Sequence, residues 1–511
     1  MQKAKNNYTL IFVSLKNKYL TMKYALTLVF ATLLLIGSSF AQHNIELKIN
    51  GLKAGDECIL AHYYADQNKI VDTLVVSKTG RVVKKGPNTL LNGVYIVVLP
   101  NRSYMEFVVP ENDQIFILEF DTTLASASKK VTGSDDNAAF FAFDLFASIK
   151  GTEMRKLKED FGGAKDEASK ASLKKQIAAL DKEVDAKRRS LIAEYPTTFT
   201  AKLFRSVLEI EIPESLTGDT TGKRFLYYRA HYWDNIDLTD DGLLRTPVYK
   251  GKLEYFFINL YVQTPDSIIP AIDYMAERLS GPTSKELYKY TIWWATNHFE
   301  ESKLMCMDKV LHHMAKNYYC AGKCWWADTS LVNKMCEHAG KIGTTVCGAI
   351  APDMILVDTA FKRNYQLSKI NSPVTVLVFW DHQCGHCKKE LPKLKLMYDS
   401  LKSKGVEVYA VYTQGDWEGW KTYVKENKLN WINVMDAYNK ATYRKDYNII
   451  STPQVYLLDE NKEIKFKNPP AENVGRIAEI MLEEYKQKQE KLKTTPKEEF
   501  NDASPMDLGG H

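Results

Sequence analysis

The spacing of apolar residues along this chain changes character three times, and each change predicts a different kind of structure. Near the N-terminus Ile45, Leu47 and Ile49 alternate with polar residues, the period of a strand buried on one face. Short apolar runs follow at Cys58–Tyr63, Ile70–Val76, Val94–Leu99, Met105–Val109 and Ile115–Phe120. Asn50-Gly51, Gly86-Pro87-Asn88, Asn92-Gly93, Pro100-Asn101 and Pro110-Glu111-Asn112-Asp113 separate them with turn chemistry. Residues 42–132 therefore read as antiparallel β, a β-sandwich-like domain or small barrel.

The period lengthens after Gly133-Ser134-Asp135-Asp136, which combines a turn with an N-cap. Leu173, Ile177, Leu180, Val184 and Leu191 lie on one helical face, and Pro196 closes that helix. Residues 133–345 read as a mainly helical region rich in aromatics, among them Tyr227, Trp233, Tyr255, Phe256, Trp293, Trp294, Trp325 and Trp326. A ligand groove is one use for such side chains. A packed core is the commoner one and is the expectation here.

The third change is a nearly continuous β-rich run, Val374–Trp380, the mark of a strand covered on both faces. Leu391, Leu394, Met397 and Leu401 follow at helical spacing. Strands at Val406–Val411 and Trp431–Val434, helices at Trp417–Lys428 and Tyr438–Tyr447, a hairpin of Gln454–Leu458 with Glu463–Phe466, and a helix from Glu472 complete the pattern. Residues 346–485 read as one α/β domain. The charged, proline-containing segment 486–511 is expected to be a disordered tail. The fold class is multidomain: an N-terminal β-sandwich-like domain, a helical middle region and a C-terminal α/β domain.

At 511 residues the chain is too long for one core, which agrees with several domains. A formal charge of +5 without clustered Lys and Arg points away from nucleic acid and from a polybasic membrane patch. Residues 1–41 read as a signal peptide: Lys16, Lys18 and Lys23 precede an apolar run, Ala25–Ile36, and Gly37-Ser38-Ser39-Phe40-Ala41 offers a cleavage site. Met22 stands where such a leader normally begins. A permanent anchor is the competing reading, but the run is shorter than the ~20 apolar residues that span a bilayer. The expected location is the periplasm or cell envelope, with no stable membrane span after cleavage.

Export allows the eight cysteines to persist as disulfides. The spacing of Cys58, Cys306, Cys320, Cys324, Cys336 and Cys347 does not reveal their pairing. Cys320 and Cys324, with His312, His313 and His338 nearby, also admit a metal site, though disulfides or buried thiols fit better. The remaining two form Cys384-Gly385-His386-Cys387 between the buried strand and a helix. Free N–H groups and the helix dipole at that point stabilise a thiolate on Cys384, the attacking species, and Cys387 one turn on resolves the mixed disulfide. Half a zinc site would need further ligands nearby. An inert disulfide would leave the strand–CxxC–helix placement a coincidence.

Residues 346–485 resemble the TlpA-like branch of the thioredoxin superfamily, exported disulfide reductases related to the AhpC/TSA peroxiredoxins. The resemblance rests on Ala351-Pro352-Asp353-Met354, Val378-Phe379-Trp380, Cys384-x-x-Cys387-Lys388-Lys389-Glu390-Leu391-Pro392, and Thr452-Pro453 before Val455-Tyr456-Leu457-Leu458-Asp459. It implies a cis peptide at Thr452–Pro453, substrate contacts at Trp380, Thr452 and Pro453, and a proton relay at Glu390. A solvated helix residue is the plainer reading of Glu390. Gln383 and His386 depart from the family pattern of Trp before the first cysteine and Pro before the second. A histidine at 386 resembles protein disulfide isomerase, and tuning of the potential is its expected role. Asp381 stands where a peroxidase would carry Thr, which disfavours peroxidase activity.

The function expected is thiol–disulfide exchange with partner proteins, in the direction of reduction, without a cofactor. An upstream electron donor is implied. Residues 42–345 resemble, in layout only, the β and helical modules that precede thioredoxin domains in exported bacterial proteins. The alternative is an envelope protein whose modules bind a glycan or peptide, with an ancillary redox domain.

Overall fold

The computed structural model describes residues 42–283 and 285–494. The leader expected at 1–41 and the last part of the expected tail lie outside the described residues. The chain divides after Leu253 into two compact units.

In the first unit, β1 (His43–Asn50), β2 (Glu57–Tyr64), β3 (Gln67–Val75), β4 (Arg81–Gly86), β5 (Gly93–Val98), β6 (Tyr104–Val109), β7 (Ile115–Asp121) and β8 (Lys130–Thr132) make two four-stranded sheets. Their orders are β4-β1-β7-β8 and β3-β2-β5-β6. Ile45, Leu47 and Ile49 join Val97, Phe107 and Leu118 in the core between them. The strands pair antiparallel apart from β1 with β7, which is parallel. That departs from the all-antiparallel expectation. A parallel pair needs a long crossover, and the intervening strands supply it. The sequence reading passed over β4 and β8. Both are sheet edges carrying Lys or Arg, where a strand resists further pairing through charge rather than through an apolar pattern.

Ser134 caps α1 (Asp135–Gly163) by accepting from the Asn137 N–H. The buried Asn137 side chain bonds both the N–H and the carbonyl of Val108 at 2.8 Å, tying this helix to β6. On α2 (Glu167–Glu194), Leu180 and Leu191 are buried, and Leu173, Ile177 and Val184 are half-buried beside them. Helices α3 (Phe199–Ser206) and α4 (Lys223–His231) follow, and the division between units falls within α5 (Val248–Asn259).

After the last part of α5 the second unit continues with α6 (Pro265–Arg278), α7 (Lys285–Glu300), α8 (Asp308–Met314) and α9 (Thr329–Ile342). The core expectation for the aromatics holds for Phe256 and Trp294 here and for Trp233 in the first unit, but Tyr255, Trp293 and Trp325 are exposed. Disulfides join Cys306 to Cys347 and Cys320 to Cys336. The second takes Cys320 out of any metal site with Cys324, which is a buried free thiol like Cys58.

The rest of the unit is β9 (Ile355–Asp358), β10 (Asn364–Gln366), β11 (Val374–Trp380), α10 (Gly385–Leu401), β12 (Val406–Tyr412), α11 (Trp417–Glu426), β13 (Ile432–Met435), α12 (Tyr443–Asp446), β14 (Gln454–Leu458), β15 (Ile464–Lys467) and α13 (Ala471–Thr494). Its seven-stranded sheet has the order β10-β9-β13-β12-β11-β14-β15. Central β11 runs parallel to β12 and antiparallel to β14. Val376, Val378 and Trp380 enter one core, with Leu391 and Leu394 of α10. Leu377 and Phe379 enter the other. Both faces are covered, which is why this run is apolar without alternation.

Two boundaries in this domain differ from expectation by more than two residues. The helix expected at Tyr438–Tyr447 is one turn, because the Asp436 carboxylate accepts from the Lys440 and Ala441 N–H groups and holds a turn there instead. The expected tail is helical through Thr494. Glu, Lys and Gln favour helix strongly enough to extend α13 past its apolar face.

Candidate active site

The turn after β11 delivers Cys384 to the N-cap of α10, with extended backbone (φ −70°, ψ 122°). Cys387 lies in the first turn of that helix and is fully buried, whereas Cys384 is half-buried. Both are free thiols. Across from them the Thr452–Pro453 peptide is cis, and the Cys384 sulfur lies 3.2 Å from the Thr452 carbonyl oxygen, to which the thiol donates.

The two sulfurs are electrostatically unlike. Partial burial raises the Cys384 thiol, but the Cys387 and His386 N–H groups, the Thr452 side chain and the Cys387 thiol together outweigh it. They hold Cys384 below its ordinary value. Burial dominates at Cys387 and pushes its thiol up to about 12. One sulfur is thus the more exposed and more readily ionised and the other a shielded thiol, the division of labour that disulfide exchange requires.

The other expected site residues are placed as follows. Thr452 and Pro453 stand at the dithiol, half-buried. Trp380 does not suit a substrate contact: it is fully buried at the end of β11, packed among Tyr412, Tyr423 and the α10 core. As the last residue of a strand covered on both faces, it has no surface to offer a partner. His386 is exposed, and it is its main-chain N–H that points toward Cys384. The Glu390 carboxylate pairs with Lys393 at 3.0 Å, and Lys393 also reaches Glu472 at 3.2 Å. Among the described residues the partner of Glu390 is this lysine, not either sulfur.

Sequence reasoning missed a polar cluster beside the motif. His382 Nδ1 shares a 3.0 Å hydrogen bond with the Tyr412 hydroxyl, and Nε2 lies 3.3 Å from the Asp416 carboxylate. Asp381 Oδ1 lies 3.8 Å from Nδ1 and accepts from the Gln383 N–H at 2.8 Å. The one sequence signal was the polar run Asp381-His382-Gln383 directly after a wholly apolar strand.

An open sheet with a CxxC helix N-cap and an opposing cis-proline defines the thioredoxin-like class. A family model described as thioredoxin-like matches residues 372–464, and a domain of unknown function (DUF5106) matches 166–338. The sporulation thiol-disulfide oxidoreductase A of Bacillus subtilis is 36% identical over 94 residues, 18% of this chain and 56% of that protein. The match therefore spans about half of that relative's length. The thiol-disulfide oxidoreductase ResA of the same organism is 30% identical over 139 residues, 27% of this chain and 73% of that protein. A solved domain of a possible thiol-disulfide isomerase from Cytophaga hutchinsonii is 34% identical, covering 29% of this chain and 97% of that one, with a TM-score of 0.25. Through its C-terminal domain the chain belongs to the ResA-like thiol–disulfide oxidoreductases.

Proposed function

We propose that this protein exchanges disulfides with partner proteins through Cys384 and Cys387, outside the cytoplasm and in the direction of reduction. The observation that carries the reading is the pairing of a half-buried thiol held below its ordinary value with a buried thiol pushed up to about 12, beside a cis Thr452–Pro453 peptide.

The Cys384 thiolate attacks one sulfur of a partner disulfide. A bond forms between them, the partner's S–S bond breaks, and the released partner thiolate takes a proton. Cys387 then loses its proton and attacks the Cys384 sulfur. The mixed disulfide breaks, and the partner's second sulfur leaves as a thiol. Two electrons and two protons have passed to the partner, and Cys384–Cys387 is a disulfide until an upstream dithiol donor reduces it. Thr452 serves both forms of Cys384: its carbonyl accepts from the thiol, and its side chain steadies the thiolate.

The leader-like residues 1–41 and the two disulfides of the second unit support a location where disulfides persist, the periplasm or cell envelope. The reductive direction rests on the resemblance of residues 346–485 to exported reductases. Insulin reduction by the full chain without its leader, supplied with dithiothreitol, tests the reading. Turnover that disappears in Cys384→Ser is expected. No turnover, or turnover indifferent to Cys384, would overturn it and favour a binding protein with an ancillary redox domain.

A further inference from the structure

His382 has a cradle built around it. Its side chain is 13% exposed, held between the Tyr412 hydroxyl at 3.0 Å and the Asp416 carboxylate at 3.3 Å. Tyr412 is buried at the end of β12 and stacks on Trp420. Asp416 is the N-cap of α11, accepting from the Gly419 N–H at 3.0 Å. Gly419 leaves the room the imidazole occupies: a Cβ there would come within 2.7 Å of His382 Nε2. The ionisable groups facing the ring are Asp381 on its own turn, Tyr412 on β12, and Asp416 and Tyr423 from α11.

The turn that carries this ring is held within itself by Cys384 N–H to the Asp381 carbonyl at 3.2 Å and Gln383 N–H to the Asp381 carboxylate at 2.8 Å. To its surroundings it is tied by the Cys384 thiol on the Thr452 carbonyl at 3.2 Å and a 3.5 Å contact from Gln383 Nε2 to Asp416. The His382 contacts are the shorter of its ties to β12 and α11. Gln383, Gly385 and His386 are exposed around the nucleophile. Yet Cys384 receives the N–H groups of His386 and Cys387 only while it stays in register at the helix N-cap.

We propose that His382 is a positioning residue of the dithiol centre: clamped between Tyr412 and Asp416, it fastens the Asp381–Cys384 turn to the start of α11 and so holds Cys384 beneath the N–H groups of α10. The inference rests on the proposed thiol–disulfide exchange and adds a residue that acts through Cys384 without touching a partner. With Nε2 protonated the ring donates toward Asp416 and accepts from Tyr412.

The test is the pH profile of iodoacetamide alkylation at Cys384, read by mass on the full-length reduced protein. His382→Phe keeps the ring volume and removes both polar contacts. Its profile should move upward by ~0.5 pH unit or more, a roughly threefold loss of thiolate near neutrality. His382→Gln, which keeps one polar contact, should recover part of the shift. Gly419→Ala leaves His382 chemically intact and should move the profile in the same direction, because its Cβ would meet both the Asp416 carboxylate and His382 Nε2 and force the clamp apart. It also serves if His382→Phe fails to fold. Profiles of His382→Phe and Gly419→Ala that superimpose on the parent would overturn the proposal and make His382 packing alone. Alkylation needs no partner, so it reports on His382 even if insulin reduction by the parent protein were to fail. That failure would fall on the functional reading alone.

Discussion

The sulfur of Cys384 sits 3.2 Å from the main-chain oxygen of Thr452, a residue 68 positions away in sequence. This contact joins the start of α10 to the loop before β14. It couples the nucleophile to the strand order of the sheet, since β14 lies beside β11 only because it pairs antiparallel with it.

The first prediction concerns that pair. The Cys384 thiol is held below its ordinary value, so its alkylation profile should lie at lower pH than that of a free cysteine. Cys387, pushed up to about 12, should stay unmodified across the same range. Thr452→Val keeps the carbonyl but deletes the hydroxyl that favours the thiolate, so its Cys384 profile should move upward. Peptide mapping after timed alkylation reads both. Equal labelling of the two cysteines at pH 7 would contradict the assignment.

A second outcome separates the roles of the cysteines. Cys387→Ser leaves Cys384 able to attack and unable to release, so partners from a native envelope extract should accumulate as covalent adducts on non-reducing gels. Cys384→Ser should trap far less, because Cys387 is buried. A few discrete adducts would mark a dedicated reductase, and a broad smear a general oxidant or isomerase.

Replacing His386 by Pro should make the dithiol more reducing. The substitution removes the exposed imidazole and also the N–H that bonds toward Cys384. Either loss destabilises the reduced form, which lowers the potential. His386→Ala removes the ring and keeps the N–H, so glutathione titration of both variants apportions the effect. An unchanged potential in both would remove His386 from the account.

Glu390 is paired with Lys393, which sets what its substitution can do. Glu390→Gln should cost well under ~1 kcal/mol of stability, the range of partly exposed ion pairs. If Glu390 relays a proton during resolution, the variant should slow release of the mixed disulfide and change its pH dependence. Single-turnover traces identical to the parent would leave Glu390 as a partner of Lys393 alone.

The two disulfides span sequence separations of 41 and 16 residues. In the chain-entropy account, opening Cys306–Cys347 by double alanine substitution should lower stability by ~4 kcal/mol and opening Cys320–Cys336 by ~3. Urea unfolding of the full chain under non-reducing conditions measures both. The first loss should be the larger one.

Much of the redox domain is local information. Val374–Trp380 and Gln454–Leu458 coincide with β11 and β14, because an unbroken β-branched and aromatic run has few ways to be buried. Cys384 at a helix N-cap followed from a strand, a polar turn and a helical apolar period in succession. Ser134 could likewise be read as a cap, since capping needs only the first turn of its own helix. Charged edge strands β4 and β8 could not, because their Lys and Arg residues break the apolar pattern; β4 pairs with distant β1, and β8 is only three residues long beside β7.

What tertiary structure alone decided is which distant groups meet. Sequence spacing left the six other cysteines open, and only the packed chain joins Cys306 to Cys347 and Cys320 to Cys336. The resemblance offered Trp380 as a substrate contact, and the packing of Tyr412 and Tyr423 against it leaves it no exposed surface. Lys393, the i,i+3 partner of Glu390 on α10, also reaches Glu472 only because α13 packs against that helix. His382 became legible only when β12 and α11 carried Tyr412 and Asp416 to either side of it. Periodicity reports the burial of a residue's own element. A polar group's role depends on partners that the fold brings to it, and their sequence separation leaves no periodic trace.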